Sequence, residues 1–212
     1  MIRSTTFYIL RHGQSEANIA GKFGHVPEAQ LTKSGIEQAQ KAAARFGSVH
    51  FDRIISSEFV RARQTAEIIA KERKLAVNTT HALRERSYGR LNGKTKKELR
   101  DELQDLYELY LQMPEKEKFR HKLVADMESA EEALQRLLLY LREAALAYEG
   151  ETVLMVCHVT LIRVLLIHLG YADYEELVSD NIENTAHILV ETDGADFFLK
   201  ETHGVKKRVV TA

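Results

Sequence analysis

The chain has almost no cysteine: Cys157 carries the one thiol among 212 residues. No disulfide can close within a single chain, so a disulfide-stapled secreted scaffold is excluded and a cytoplasmic location is expected. An excess of charge is missing too. With 30 Lys and Arg against 31 Asp and Glu, the net charge is −1, which offers no field for nucleic acid or an anionic membrane. Strong positive potential therefore has to be local, built by a few arginines in one pocket. Long apolar runs are lacking as well. The most apolar stretch, Val153 to Leu169, is interrupted by His158, Arg163 and His168 and is too polar for a membrane span. The opening residues Met1 to Thr6 form no apolar leader with a small-residue cleavage site.

Several motifs are absent, and each absence removes a class of function. There is no Gly-x-x-x-x-Gly-Lys-Ser/Thr loop and no Gly-x-Gly-x-x-Gly, so a nucleotide cofactor has no support. There is no Gly-x-Ser-x-Gly elbow. The nine histidines are scattered, without His-Glu-x-x-His, and Cys-x-x-Cys is impossible; no metal site and no cofactor are expected. No repeat, linker or low-complexity stretch divides the chain, and 44% hydrophobic residues supply one core, so residues 1–212 are expected to form a single domain.

Short apolar runs alternate with helical patterns. Strands are expected at Phe7–Leu10, Phe51–Ser56, Leu75–Thr79, Thr152–Cys157, Ala186–Glu191 and Asp196–Lys200. Helices are expected over Ser34–Phe46, Phe59–Arg73, Glu128–Tyr148 and Thr160–Leu169. In the first, Ile36, Ala39, Ala43 and Phe46 share one face, and Ser34 and Glu37 have the spacing of a capping box. The second buries Phe59, Ala62, Ala66 and Ile69. Gly150 and Gly170 follow the last two helices as stops. The charged region 94–127, with Pro114, reads as exposed helices capping one end of the core. This alternation predicts an α/β fold, a mainly parallel sheet with helices on both faces.

Arg11-His12-Gly13 follows the strand Phe7–Leu10 directly. The C-terminal edge of a parallel sheet is where such folds place their chemistry. Arginine offers a planar fork to phosphate oxygens, and a neutral histidine is a nucleophile near pH 7. Gly13 lets backbone or ligand come close. The segment from Arg11 to Asn18 thus combines a cation, a nucleophile, the amide of Gln14 and the hydroxyl of Ser15, all suited to a tetrahedral anion. Arg61, in the first turn of a helix, is a second candidate clamp; Arg63 is read as structural. Glu85 is a candidate proton donor to a leaving alcohol. His158 also lies just past an apolar strand, so if the two strands are neighbours the two histidines meet in one pocket. Cys157 is read as a small buried hydrophobe.

These residues resemble the histidine phosphatase superfamily, the phosphoglycerate mutase-like family. Arg11-His12-Gly13-Gln14-Ser15-Glu16-Ala17-Asn18 is similar to its Arg-His-Gly-Glu/Gln-Ser/Thr-x-x-Asn signature. Phe23-Gly24, Leu31-Thr32-x-x-Gly35-x-x-Gln38-Ala39, Ser56-Ser57-x-x-x-Arg61-Ala62-x-Gln64-Thr65-Ala66, Leu83-x-Glu85-x-x-x-Gly89-x-x-x-Gly93 and Val156-Cys157-His158-x-x-x-x-Arg163 continue it in order. The resemblance implies that His12 is phosphorylated in turnover, that Arg11, Arg61 and His158 surround the phosphoryl group, and that Glu85 acts as acid and then base. It places Gly13, Gln14, Ser15, Asn18, Gly24 and Arg86 at the substrate.

Three positions depart from the family pattern. Val159 stands where glycine is usual, Met127-Glu128-Ser129 replaces Gly-Glu-Ser, and Glu58 follows Ser57 where proline is frequent. The implied activity is a metal-independent phosphomonoesterase working through phosphohistidine on a small phosphorylated metabolite. A cofactor-dependent phosphoglycerate mutase is the alternative, since Glu85-Arg86-x-Tyr88-Gly89 is close to what mutases carry. A non-catalytic member binding a phospho-ligand or a protein is the third reading, which the presence of both His12 and Glu85 disfavours. Neither the physiological substrate nor the oligomeric state is legible.

Overall fold

The computed structural model describes residues 4–209; Met1, Ile2 and Arg3 of the opening segment lie outside them. Six strands form one sheet in the order β3-β2-β4-β1-β5-β6. They are β1 (Thr5–Arg11), β2 (Arg53–Ser57), β3 (Val77–Thr80), β4 (Thr152–Cys157), β5 (Ile182–Thr192) and β6 (Phe197–Val205). The first four in spatial order are parallel to one another, while β5 and β6 add antiparallel. The two last strands run further than their apolar centres predicted, because pairing continues where alternation in the sequence fades.

Side-chain alternation divides the sheet into two faces. Leu10, Ile54, Leu154 and Val156 pack against α2 (Lys33–Arg45) and α3 (Val60–Lys71) through Ala42, Ala43, Ala62, Ala66 and Ile69. Phe7, Ile9, Ile55, Val153, Met155 and Cys157 face α7 (Ala130–Ala147) and α8 (Val159–His168). Residues Val153 to Cys157 are fully buried on both faces, which is why β4 reads as an unbroken apolar run. Likewise α8 is apolar nearly all round and buries Leu161, Ile162, Val164, Leu165 and Leu166.

Two details of α2 differ from expectation. Its N-cap is Thr32, whose side chain accepts from the Gly35 amide at 3.0 Å, so Ser34 and Glu37 form no capping box there. Ile36 is 42% exposed: the helix starts one residue earlier, and the buried stripe runs through Gly35, Ala39, Ala42 and Ala43. The reciprocal capping boxes belong elsewhere. One joins Ser15 and Asn18 at α1 (Glu16–Ile19), and another joins Ser129 and Glu132 at α7.

The charged region folds as α4 (Lys96–Leu103), α5 (Asp105–Gln112) and α6 (Glu115–Lys118). It holds a small core of its own in which Leu91, Leu99, Tyr107, Leu123, Val124 and Met127 are buried together. The chain leaves β1 toward α2 on one face of the sheet and leaves β4 toward α8 on the other. Since β1 and β4 are neighbours, a crevice opens between their C-terminal ends, where open α/β sheets bind ligands.

Candidate active site

At that crevice Arg11 pairs with Cys157 across the two strands, and the His12 amide donates to the Cys157 carbonyl at 3.1 Å. The next residue on each strand is a histidine. The rings of His12 and His158 lie with centroids 5.0 Å apart at 64°, so the strand adjacency that would unite them is present.

His12 is 3% exposed. Its Nδ1 lies 2.6 Å from the Gly13 carbonyl oxygen. A carbonyl only accepts, so Nδ1 carries the proton and Nε2 keeps its lone pair. Arg61 Nε donates to that Nε2 at 3.1 Å. Burial, Arg61 and Arg11 hold the His12 pKa well below 6.5, with the Gly13 carbonyl opposing. The outcome is a neutral imidazole whose Nε2 accepts from the Arg61 guanidinium.

Arg61 sits in the first turn of α3 and is 4% exposed. It also donates from Nη1 to the Val26 carbonyl at 2.7 Å, and its Nη2 lies 3.3 Å from His158 Nδ1. Its pKa is lowered to about 10 by burial and by Arg11, with Glu85 opposing. Arg11 donates from Nη1 to the Ile182 carbonyl, while its Nε is buried with no hydrogen-bond partner among the described residues. A buried donor left unpaired costs roughly 1–3 kcal/mol, a deficit that an anion bound beside it removes. Glu85 is 8% exposed. Its carboxylate accepts from the Arg86 amide at 2.7 Å and the Thr160 amide at 3.4 Å, which fixes it between the loop after β3 and the start of α8.

Arg11, His12, Arg61 and Glu85 line one cavity of about 540 Å³, together with Asn18 and Gly24. The left-handed Gly24 (φ +68°) turns there so tightly that a Cβ would fall 2.3 Å from Asn92 Oδ1. Other residues implied at the substrate have different work. Gly13, Gln14, Ser15 and Arg86 are not among the lining residues. Gly13 makes room for α2, since a Cβ on it would lie 2.5 Å from the Gly35 carbonyl oxygen. The Gln14 side chain accepts from Thr32 at 2.9 Å, and the fully buried Ser15 caps α1. Arg86 donates to the Glu128 carbonyl at 2.7 Å and lies over the Tyr88 ring. His158 is wholly buried and stands behind Arg61 rather than on the cavity wall.

Several lining residues escaped the sequence reading: Lys22, Tyr88, Lys96, Lys97, Ser179 and Asp180. A signal existed for two of them. Lys96 and Lys97 occupy the first turn of α4, where the helix dipole disfavours cations. Nothing local marks Asp180, which reaches the cavity only because β5 pairs with β1. Val159 lines the wall where the family has glycine. Glu128 pairs with Arg136 at 2.9 Å instead of facing the cavity, and Arg63 pairs with Glu67 along α3. Burial pushes the Cys157 thiol far up. Among the described residues no three His, Cys, Asp or Glu side chains are grouped to hold a metal ion, and no helix is long and apolar enough to cross a membrane.

Similarity to known proteins extends over most of the chain. The histidine phosphatase superfamily (branch 1) profile matches residues 7–203. Over 163 residues the chain is 28% identical to the adenosylcobalamin/alpha-ribazole phosphatase of Escherichia coli (strain K12), covering 76% of this chain and 77% of that protein. Over 192 residues it is 30% identical to a 2,3-bisphosphoglycerate-dependent phosphoglycerate mutase of Cytophaga hutchinsonii, covering 86% and 85%. The crystal structure of a phosphoglycerate mutase from Bacillus anthracis superposes with a TM-score of 0.81 at 22% identity, over 96% of this chain and 94% of that one.

Proposed function

This chain belongs to the histidine phosphatase superfamily (branch 1), and on that premise we propose that it hydrolyses small phosphomonoesters through a phosphohistidine at His12. The observation that carries the reading is the setting of the His12 ring: Nδ1 lies 2.6 Å from the Gly13 carbonyl oxygen, which calls for a proton on Nδ1, and Nε2 lies 3.1 Å from Arg61 Nε. In the first step the bound phosphoryl group displaces the Arg61 Nε–H from the Nε2 lone pair, Nε2 attacks phosphorus, the ester P–O bond breaks, and Glu85 gives its proton to the leaving oxygen. In the second, Glu85 takes a proton from water, the water oxygen bonds to phosphorus, and the P–N bond breaks to release phosphate. Arg11 and Arg61 offset charge on the equatorial oxygens throughout. The compartment that suits a lone buried thiol is the cytoplasm.

One observation favours the mutase as a second reading. Lys22, Lys96 and Lys97 line the cavity, and a mutase needs extra cations to hold a phosphorylated acceptor while its phosphoenzyme is shielded from water. The two readings separate in one experiment. Purified protein is offered a panel of phosphomonoesters, and separately 3-phosphoglycerate with catalytic 2,3-bisphosphoglycerate. Inorganic phosphate should appear from a member of the panel and little 2-phosphoglycerate should form. An acid-labile phosphoenzyme should be trapped in the parent and be missing from His12→Ala. Efficient isomer exchange with negligible phosphate release would replace the phosphatase by the mutase, and full turnover by His12→Ala would end both.

A further inference from the structure

The His158 side chain is completely buried and has one polar partner at each ring nitrogen. Nδ1 lies 3.3 Å from Arg61 Nη2, and a guanidinium can only donate. Nδ1 must therefore be the accepting nitrogen. Burial and the nearby Arg61 keep the ring neutral, so it carries one proton, and that proton sits on Nε2. There it meets Ser57 Oγ at 2.9 Å. Ser57 is itself fully buried. It ends β2, while His158 follows β4, its parallel neighbour. The hydrogen bonds form a continuous chain: Ser57 accepts from His158, His158 accepts from Arg61, and Arg61 donates to His12 Nε2.

We propose that Ser57 is a positioning residue: by accepting the Nε2–H of His158 it fixes the tautomer whose Nδ1 receives Arg61, and so aims the Arg61 Nε–H at the nucleophilic nitrogen of His12. Without the hydroxyl, neither neutral tautomer is satisfied. The Nε2–H form has a buried donor and no acceptor; the Nδ1–H form sets a donor against the Arg61 donor. Ring or guanidinium has to move, and a guanidinium that moves loses its register on His12. The orientation of a histidine by a hydrogen bond on its far nitrogen is a general device, and at metal-ligating histidines loss of that partner typically costs about 10–100-fold in activity.

The inference rests on the proposed role of His12, yet its spectroscopic arm needs no turnover. Histidine-15N-labelled protein is compared with Ser57→Ala and Ser57→Thr by long-range 15N–1H correlation. In the parent, His158 should show the Nε2–H tautomer and His12 the Nδ1–H tautomer, with a hydrogen-bonded Nε2. Ser57→Ala should lose the single His158 tautomer and shift His12 Nε2, while Ser57→Thr, which keeps the acceptor, should retain both signals. If a phosphomonoester is turned over, kcat of Ser57→Ala should fall about 10–100-fold and be largely restored in Ser57→Thr. Should Ser57→Ala not fold, Ser57→Cys replaces it, keeping size but only a weak acceptor. A proton on His158 Nδ1 in the parent overturns the proposal. So does a hydroxyl-free variant whose His158 and His12 signals are those of the parent. A parent without phosphatase activity removes the functional reading alone.

Discussion

Gly13 and Gly35 meet backbone to backbone behind His12. A Cβ on Gly13 would lie 2.5 Å from the Gly35 carbonyl oxygen, and one on Gly35 would lie 2.0 Å from that of Gln14. The loop carrying His12 is thus pressed onto the first turn of α2, where the Thr32 hydroxyl and the Gln38 side chain also hold Gln14.

Gly35→Ala tests that contact. Helix propensity alone would favour alanine by about 1 kcal/mol. Overpacking against backbone that cannot give way opposes it with about 1–3 kcal/mol or more, so the collision decides the sign. The variant should be less stable than the parent in urea unfolding and should form phosphoenzyme more slowly. A gain in stability would show that the loop yields at little cost.

The pH dependence follows from histidines held neutral in the folded chain. The pKa values of His12 and His158 lie well below 6.5, and that of His187 is pushed down to about 4 by burial, Arg45 and His203. Below about 6.5 the unfolded chain takes up protons that the folded chain refuses. Stability is therefore fully present above that value and is lost as pH falls from 6.5 toward 4. Urea midpoints at pH 7.5 and 5.0 should show the drop, and equal midpoints would contradict it. The acid limb of kcat/KM that belongs to His12 should likewise lie below pH 6.5.

Glu85 should reveal itself by the leaving group. Glu85→Gln should slow alkyl phosphates by about 10²–10⁴ and p-nitrophenyl phosphate far less in its first step, since nitrophenolate departs without a proton. Burst kinetics isolate that step from dephosphorylation. Equal loss of the burst rate on both substrates would leave the carboxyl without a general-acid role.

Charge neutralisation is assigned to Arg11 and Arg61, both within one residue-to-residue contact of His12 or adjacent to it in sequence. Phosphate release should therefore survive exhaustive chelation. Loss of activity, restored by added zinc or magnesium, would mean that a cation supplies what the arginines are held to supply here.

Much of this was legible locally. The strands β1 and β4 are apolar runs with Arg11 at the end of one and His158 just past the other, and the helices α7 and α8 are followed by the glycines that stop them. His12, Arg61 and Glu85 stand in motifs whose spacing carries over to the fold. Other positions misled. Arg86 lies beside Glu85 in a charged loop, yet its guanidinium is taken by the Glu128 carbonyl and the Tyr88 ring. Gln14 accepts from Thr32 through its side-chain oxygen, and Ser15 pairs with Asn18, so both also hold their own loop.

The sequence by itself determined the elements, their alternation and the presence of His12, Arg11, Arg61 and Glu85 in motifs of family-like spacing, because periodicity, strand ends and motif spacing are properties of neighbouring residues. Tertiary structure alone decided which polar groups meet. Ser57 and His158 are 101 residues apart, and their hydrogen bond exists only because β2 and β4 lie side by side in the sheet. Asp180 reaches the cavity for a similar reason, from the loop that precedes β5, the antiparallel neighbour of β1. A side chain's chemistry is written in its own residue; whether that side chain turns to a ligand or to a carbonyl far along the chain is set by the surfaces that packing brings against it.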